Sequence, residues 1–251
     1  MTKENKDVAL TSTKALEAAL ASANELFDLE KCMEGVQARL PQIGIAHQAN
    51  MFVMPDDSKV ESFSGIIVDH HNINAFWIKS FDETGGGEPP DCFSMDGVQP
   101  PQNIDFVSPE CYGCPKNEFG SEIAKDGGHG RGKACKNMKR IHILMENELM
   151  PHRLTAPPSS IASFDIFLSQ LRSKAIPHQL VPITIGLKTS QNKDGIKFSE
   201  LTFNPEFIEL DGGTKTFKFM TEKAEQARMK QIHTDWMPVM REQPIISGEV
   251  G

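Results

Sequence analysis

The chain has 251 residues, a net charge of −8 and five cysteines, enough to bury one core with an insertion or helical arms, and no linker divides it into equal halves. No apolar run approaches the length that crosses a bilayer, the first residues are polar, and an odd cysteine count argues against a disulfide framework. These features exclude a membrane span and predict a cytoplasmic protein, while the acidic total excludes the broad basic excess of typical duplex binders.

Leu16, Leu20, Ala23 and Phe27 repeat at helical spacing behind Ser12 and Thr13, which predicts an amphipathic helix over 14–29 within an N-terminal arm, 1–41. Cys32 beside it is expected to pack rather than to bind metal. From Ile43 the pattern becomes β-like over 43–54 and 60–81, two or three strands with turns at Pro55–Ser58 and His71–Asn74. If the second run stays extended, Trp77, Lys79 and Phe81 share one face and Phe76 and Ile78 the other. One aromatic face builds core; the face with the lysine is a candidate platform for stacking bases.

Residues 91–140 hold four cysteines, Cys92, Cys111, Cys114 and Cys135, among many glycines and prolines. Such a stretch buries too little apolar surface to fix itself. The Cys111-x-x-Cys114 knuckle lets two thiolates converge on one tetrahedral ion, and the other two cysteines complete the set, so a metal-pinned loop is expected at about 88–138. Structural Zn²⁺ leads; a [4Fe–4S] cluster is the alternative for four cysteines, and His129, His70 or His71 are lesser candidates to replace one sulfur. Tyr112 and Lys116 sit on the knuckle. No acidic residue occurs from Gly127 to Met145, whereas Arg131, Lys133, Lys136, Lys139 and Arg140 crowd together. Such a run is either a solvated face or a track for phosphates.

Beyond the loop, Arg140–Met145 alternates like a strand and Glu146–Glu148 turns. Pro157, Pro158, Ser159 and Ser160 then cap a helix with Ile161, Phe164, Phe167, Leu168 and Leu171 on one face. Residues 180–187 and 196–203 read as strands joined by a hairpin whose Asp194-Gly195 pair is a strong turn signal, with Pro182 placing the first at an edge. Residues 222–236 predict a polar helix with Ala224, Ala227 and Ile232 on one side, and 238–251 a disordered tail. The element order suits a mainly β fold with helical additions, an OB-like small barrel over 42–210 carrying the inserted zinc-ribbon-like loop, with 211–251 as a C-terminal appendage.

Three strings, Cys92-Phe-Ser-Met-Asp-Gly97, Cys111-Tyr-Gly-Cys-Pro-Lys-Asn-Glu-Phe-Gly-Ser121 and Gly132-Lys-Ala-Cys135, resemble a family of small tailed-phage and prophage proteins with the pattern C-x-S-x-D-G, C-x-x-C-P-x-N-x-x-G-S and G-K-x-C. The resemblance covers roughly 60–205 and implies a single-stranded-DNA-binding protein of phage replication or recombination, working in the infected cell's cytoplasm beside replication or recombination proteins. At the level of architecture the chain is similar to the helix-destabilising protein of T4-like phages, a zinc subdomain inserted in an OB fold.

Signatures of catalysis are missing. Gly127–Lys133 lacks the spacing and hydroxyl of a Walker loop, no nucleophile elbow or deaminase pattern occurs, and Asp69, Asp91 and Asp96 read as turn caps sooner than as Mg²⁺ ligands. Four thiolates would close a zinc site against substrate. The expectation is therefore a non-catalytic binder of single strands, with Trp77, Lys79, Phe81, Tyr112, Lys116, Arg131, Lys133, Lys136, Lys139 and Arg140 as candidate contacts. An Fe–S or metal-dependent DNA-processing enzyme and a zinc-ribbon factor acting on a polymerase are the alternatives.

Overall fold

The computed structural model describes residues 22, 31, 34–36, 38–79, 88–123, 128, 130–191, 195, 197–210 and 212–242. The predicted helix over 14–29 falls almost wholly outside them, as do Cys32, Phe81 and His129. The chain divides into two compact units, Met1–Ala38 and Arg39–Gly251. In the first, the amide of Glu34 bonds to the carbonyl of Lys31, and Gly35 follows with φ +78°, a left-handed residue of the kind that ends helices.

The second unit is mainly β with two helices. Nine strands form its main sheet: β1 (Gln42–Ala46), β2 (Met51–Val53), β3 (Lys59–Val60), β4 (Ser62–Phe76), β5 (Cys92–Ser94), β6 (Lys136–Leu144), β7 (His152–Ala156), β8 (Pro182–Gln191) and β9 (Lys197–Pro205). Their order is β3-β2-β1-β7-β6-β4-β8-β9, with β5 also on β4. All pairs are antiparallel except β1 with β7. A separate hairpin, β10 (Phe207–Glu209) with β11 (Lys215–Phe217), has no counterpart among the predicted elements.

β4 organises the sheet. The expected turn at His71–Asn74 does not form, because the strand runs straight through it for 15 residues. His, Asn and Asp look like turn formers in a row, yet here every one of them is in register with β6, His71 opposite Arg140 and Asn74 opposite Asn137. On one edge β4 pairs with β6. On the other its first residues pair with β8 and its last three with β5, so the sheet forks along this edge.

The two faces are covered differently. Helix α1 (Pro158–Ser173) packs Phe164, Phe167 and Leu171 on Ile67, Ile141, Ile143 and Ile185. This is the predicted helix with its predicted apolar set, except that Ser160 does not cap. The helix starts with Pro158 in its first turn, and the buried Ser160 hydroxyl accepts from the amide of Leu201 on β9 at 2.9 Å. Helix α2 (Lys223–Glu242) brings Met229, Ile232 and Met240 to Leu40, Val68 and Leu144 on the opposite face. It passes through Pro238, so 238–242 are helix and not tail. Tertiary contacts made beyond the proline, the buried Met240 and an Arg241–Asp69 ion pair at 2.8 Å, outweigh its local cost. The paired hairpin β8–β9 matches the sequence reading, Gln191 opposite Lys197 and Gly195 at φ +82°. Pro182 opens β8 as its first residue, a position that needs no amide, but β8 lies inside the sheet and not at its edge.

Candidate functional site

The four cysteines come from distant places and line one cavity. Cys92 opens β5 opposite Phe76, Cys111 and Cys114 form the knuckle, and Cys135 immediately precedes β6. The knuckle turns through Gly113 at φ +70°, a conformation that costs an L-residue about 1–2 kcal/mol. The cavity, about 20 Å³, is also lined by Phe76, Phe93, Pro100 and Val107. Burial pushes the Cys135 thiol up to about 12, and the neighbouring Cys111, Cys114 and Cys92 add to the effect. A thiolate there is disfavoured unless a cation compensates it, and the donor set fits zinc.

The residues between the cysteines, which the motif strings share, act as locks on the loop. Asp96 Oδ1 accepts from the Ser94 hydroxyl and from the amides of Val98 and Gln99, at 2.7, 2.7 and 3.1 Å, and Gly97 follows at φ +74°. Asp96 thus caps a turn, as its sequence implies. Ser121 Oγ donates to the carbonyls of Lys116 and Glu118 and accepts from the amide of Ala134. Three asparagines bolt the knuckle to the sheet. Asn137 Nδ2 donates to Asn74 Oδ1 at 2.7 Å and to Asn117 Oδ1 at 2.9 Å, and Asn117 Nδ2 donates to the Cys111 carbonyl at 2.8 Å.

Around this frame the candidate DNA contacts separate. Tyr112 and Phe119 stand on the loop 92 % and 80 % exposed. Lys133 reaches over the Phe119 ring at 5.0 Å and donates to Asn117, and Lys116 lies over Phe76 at 5.3 Å. Arg131 is exposed, and the partly exposed Lys136 pairs with Glu122 at 2.7 Å. Two expected cations are withdrawn. Lys139 is buried and pairs with Asp165 of α1 at 2.7 Å, and Arg140 is buried completely. Both lie inside β6, where every residue from Met138 to Leu144 is buried and both faces are covered, so the basic run is a solvent-facing group only up to Lys136. β4 stops at Phe76, so Trp77 and Lys79 do not share a strand face. Trp77 packs on Ile73, Ala75 and Met138 and donates from Nε1 to the Glu88 carbonyl at 3.0 Å, whereas Lys79 is exposed.

A second group of donors was invisible in the sequence as a group. Asp69 and His71 of β4 and His142 of β6 have their ligand atoms all within 4.8 Å of one another, the one such cluster among the described residues; the cysteines are spaced more widely. The sequence offers His71 only as a substitute for a cysteine sulfur, whereas the structure sets it against His142, ring centroids 5.3 Å apart. Burial holds His142 well below the usual imidazole range, with His71 and nearby arginines acting in the same direction. The missing signal was strand register, which places Asp69 opposite His142. On the other face, His70 and His178 border a groove beside α1 with Lys139 and Asp165. No helix among the described residues is long and apolar enough to cross a membrane. No family model, curated protein or solved structure matches the chain.

Proposed function

We propose that this protein binds single-stranded DNA without strong base preference, through the outer surface of its cysteine loop, and that one structural zinc held by Cys92, Cys111, Cys114 and Cys135 keeps that loop in shape. The observation that carries the reading is the display of Tyr112 and Phe119 on a loop that also carries Lys116, Lys133 and the exposed Arg131, with the Lys133 ammonium over the Phe119 ring. Large rings are normally buried. Two left almost bare on a loop locked by hydrogen bonds, with cations on the same loop, match what a sequence-tolerant single-strand binder needs: π faces for bases and positive charge for the backbone. Zinc would contribute shape, since four thiolates leave no open coordination position. A tetrahedral ion with Zn–S bonds near 2.3 Å holds its sulfurs about 3.8 Å apart, so binding draws these thiols inward.

The OB-like description of the sheet belongs to the same proposal. It rests on a long central strand, β4, whose edge partners change along its length, and on the insertion of the loop between β4 and β6. Replication or recombination proteins of a phage-infected cell are the partners this reading implies.

The test is anisotropy of labelled oligothymidylate titrated with wild type and with a Tyr112→Ala, Phe119→Ala double variant. Stacking contributes roughly 1–3 kcal/mol per base, so the double variant should bind at least about tenfold more weakly while keeping its fold and metal. Equal affinities, or a wild type that binds no single strand, would leave the polymerase-factor reading in its place.

A further inference from the structure

Asp69 and His71 are two residues apart on β4 and therefore point to the same side of the sheet. Asp69 stands directly opposite His142 of β6, just past the bulge between Ile67 and Asp69, which resets the register at this point. His142 is fully buried, and neither of its ring nitrogens has a hydrogen-bond partner. Asp69 uses Oδ1 to accept from Arg241 of α2 at 2.8 Å, while its Oδ2 is buried without a partner. Buried polar atoms are nearly always satisfied. Here unsatisfied donor atoms of two chemical kinds converge within a single ion's reach.

We propose that Asp69, His71 and His142 form a second metal site, independent of the cysteines, that takes one divalent transition-metal cation of the zinc type. Two imidazoles and one carboxylate are the donors such ions choose, whereas calcium and magnesium ask for six or more oxygens. The Arg241 bond to Asp69 is the outer-shell support that orients a ligating carboxylate. The ion would tie β4, β6 and the end of α2 into one rigid block. Arg140 and Arg153 stand opposite His71 and His142 in the ladders; neither lacks a partner, and their charge sets this site's affinity below that of four thiolates.

Metal analysis of the purified full chain tests the site. Wild type should carry about two zinc ions, and Asp69→Asn and His142→Gln should each carry about one while keeping the wild-type far-UV spectrum. A chelator should remove the Asp–His ion before the cysteine ion. Folded variants with unchanged metal content would overturn the site. Should both variants fail to fold, Co²⁺ added to a Cys111→Ser, Cys114→Ser protein decides: cobalt absorption without thiolate charge-transfer bands supports the site, and no bound cobalt overturns it. If instead the cysteines hold nothing, wild type carries about one ion, lost in His142→Gln and kept in the double cysteine variant. The two sites therefore fail separately.

Discussion

The cysteine loop and the interior of the sheet both gather metal-type donors, and they do so by opposite means. The loop has almost no core of its own; turns, side-chain locks and three asparagines hold four sulfurs around a small cavity. The sheet interior places Asp69, His71 and His142 by register alone, under a helix on each face. On the proposed reading a site of the first kind would depend on its metal for its shape, whereas one of the second kind keeps its shape because the strands around it are already fixed.

The largest expected effect follows directly. Cys114→Ser should abolish metal binding by the loop, because three remaining thiols cannot close a tetrahedral set. Hydrogen exchange should then accelerate through 92–135 while amides of β6, β7 and β8 stay protected. Loss of protection in the sheet as well would erase the distinction between the regions.

The converse cut is Phe164→Ala. Phe164 is fully buried, edge-on to His70 and Phe203 and beneath the Lys139 ammonium. Its removal should cost about 3–5 kcal/mol in urea unfolding and leave the metal content of the folded fraction unchanged.

How much of this was legible in the sequence follows the same division. Cys111 and Cys114 announce themselves by spacing, and Phe164, Phe167 and Leu171 by helical period, since both signals are local. His142 carries no local signal. Its meaning lies in facing Asp69, which depends on a pairing register and a bulge that a linear string does not display. Lys139 and Arg140 misled for the related reason that charge density along a strand says nothing of whether both faces are covered. The continuation of α2 past Pro238 likewise depends on Asp69, far away in sequence.

Acid should weaken the sheet. Burial, aided by His70, lowers His178 to about 4 from its ordinary 6.5, and burial also lowers His70 and His142. Between pH 6.5 and 4 the unfolded chain takes up a proton that the folded one refuses. Stability fully present above pH 6.5 is therefore lost as pH falls through that window, by about 3 kcal/mol from His178 alone. Urea midpoints measured at pH 7.5 and 4.5 should differ accordingly, and His178→Gln should narrow the gap. A midpoint independent of pH would mean that these imidazoles are not buried neutral.

The smallest expected effect tests whether the loop's cations act on a ligand or merely on the loop. Lys133 has two internal uses, the Phe119 ring and Asn117 Oδ1 at 3.2 Å, but it is only partly covered, and neither use neutralises its charge. If its ammonium meets a phosphate, Lys133→Ala should reduce the slope of log affinity against log salt by about 0.7, the value for one contact to a single strand, and by the same amount on every base composition. Lys136 offers the contrast, because its charge is already matched by Glu122 at 2.7 Å, and Lys136→Ala should change the slope less. Equal slopes for both variants and wild type would mean that the lysines only brace the loop, leaving the exposed rings as its whole binding surface.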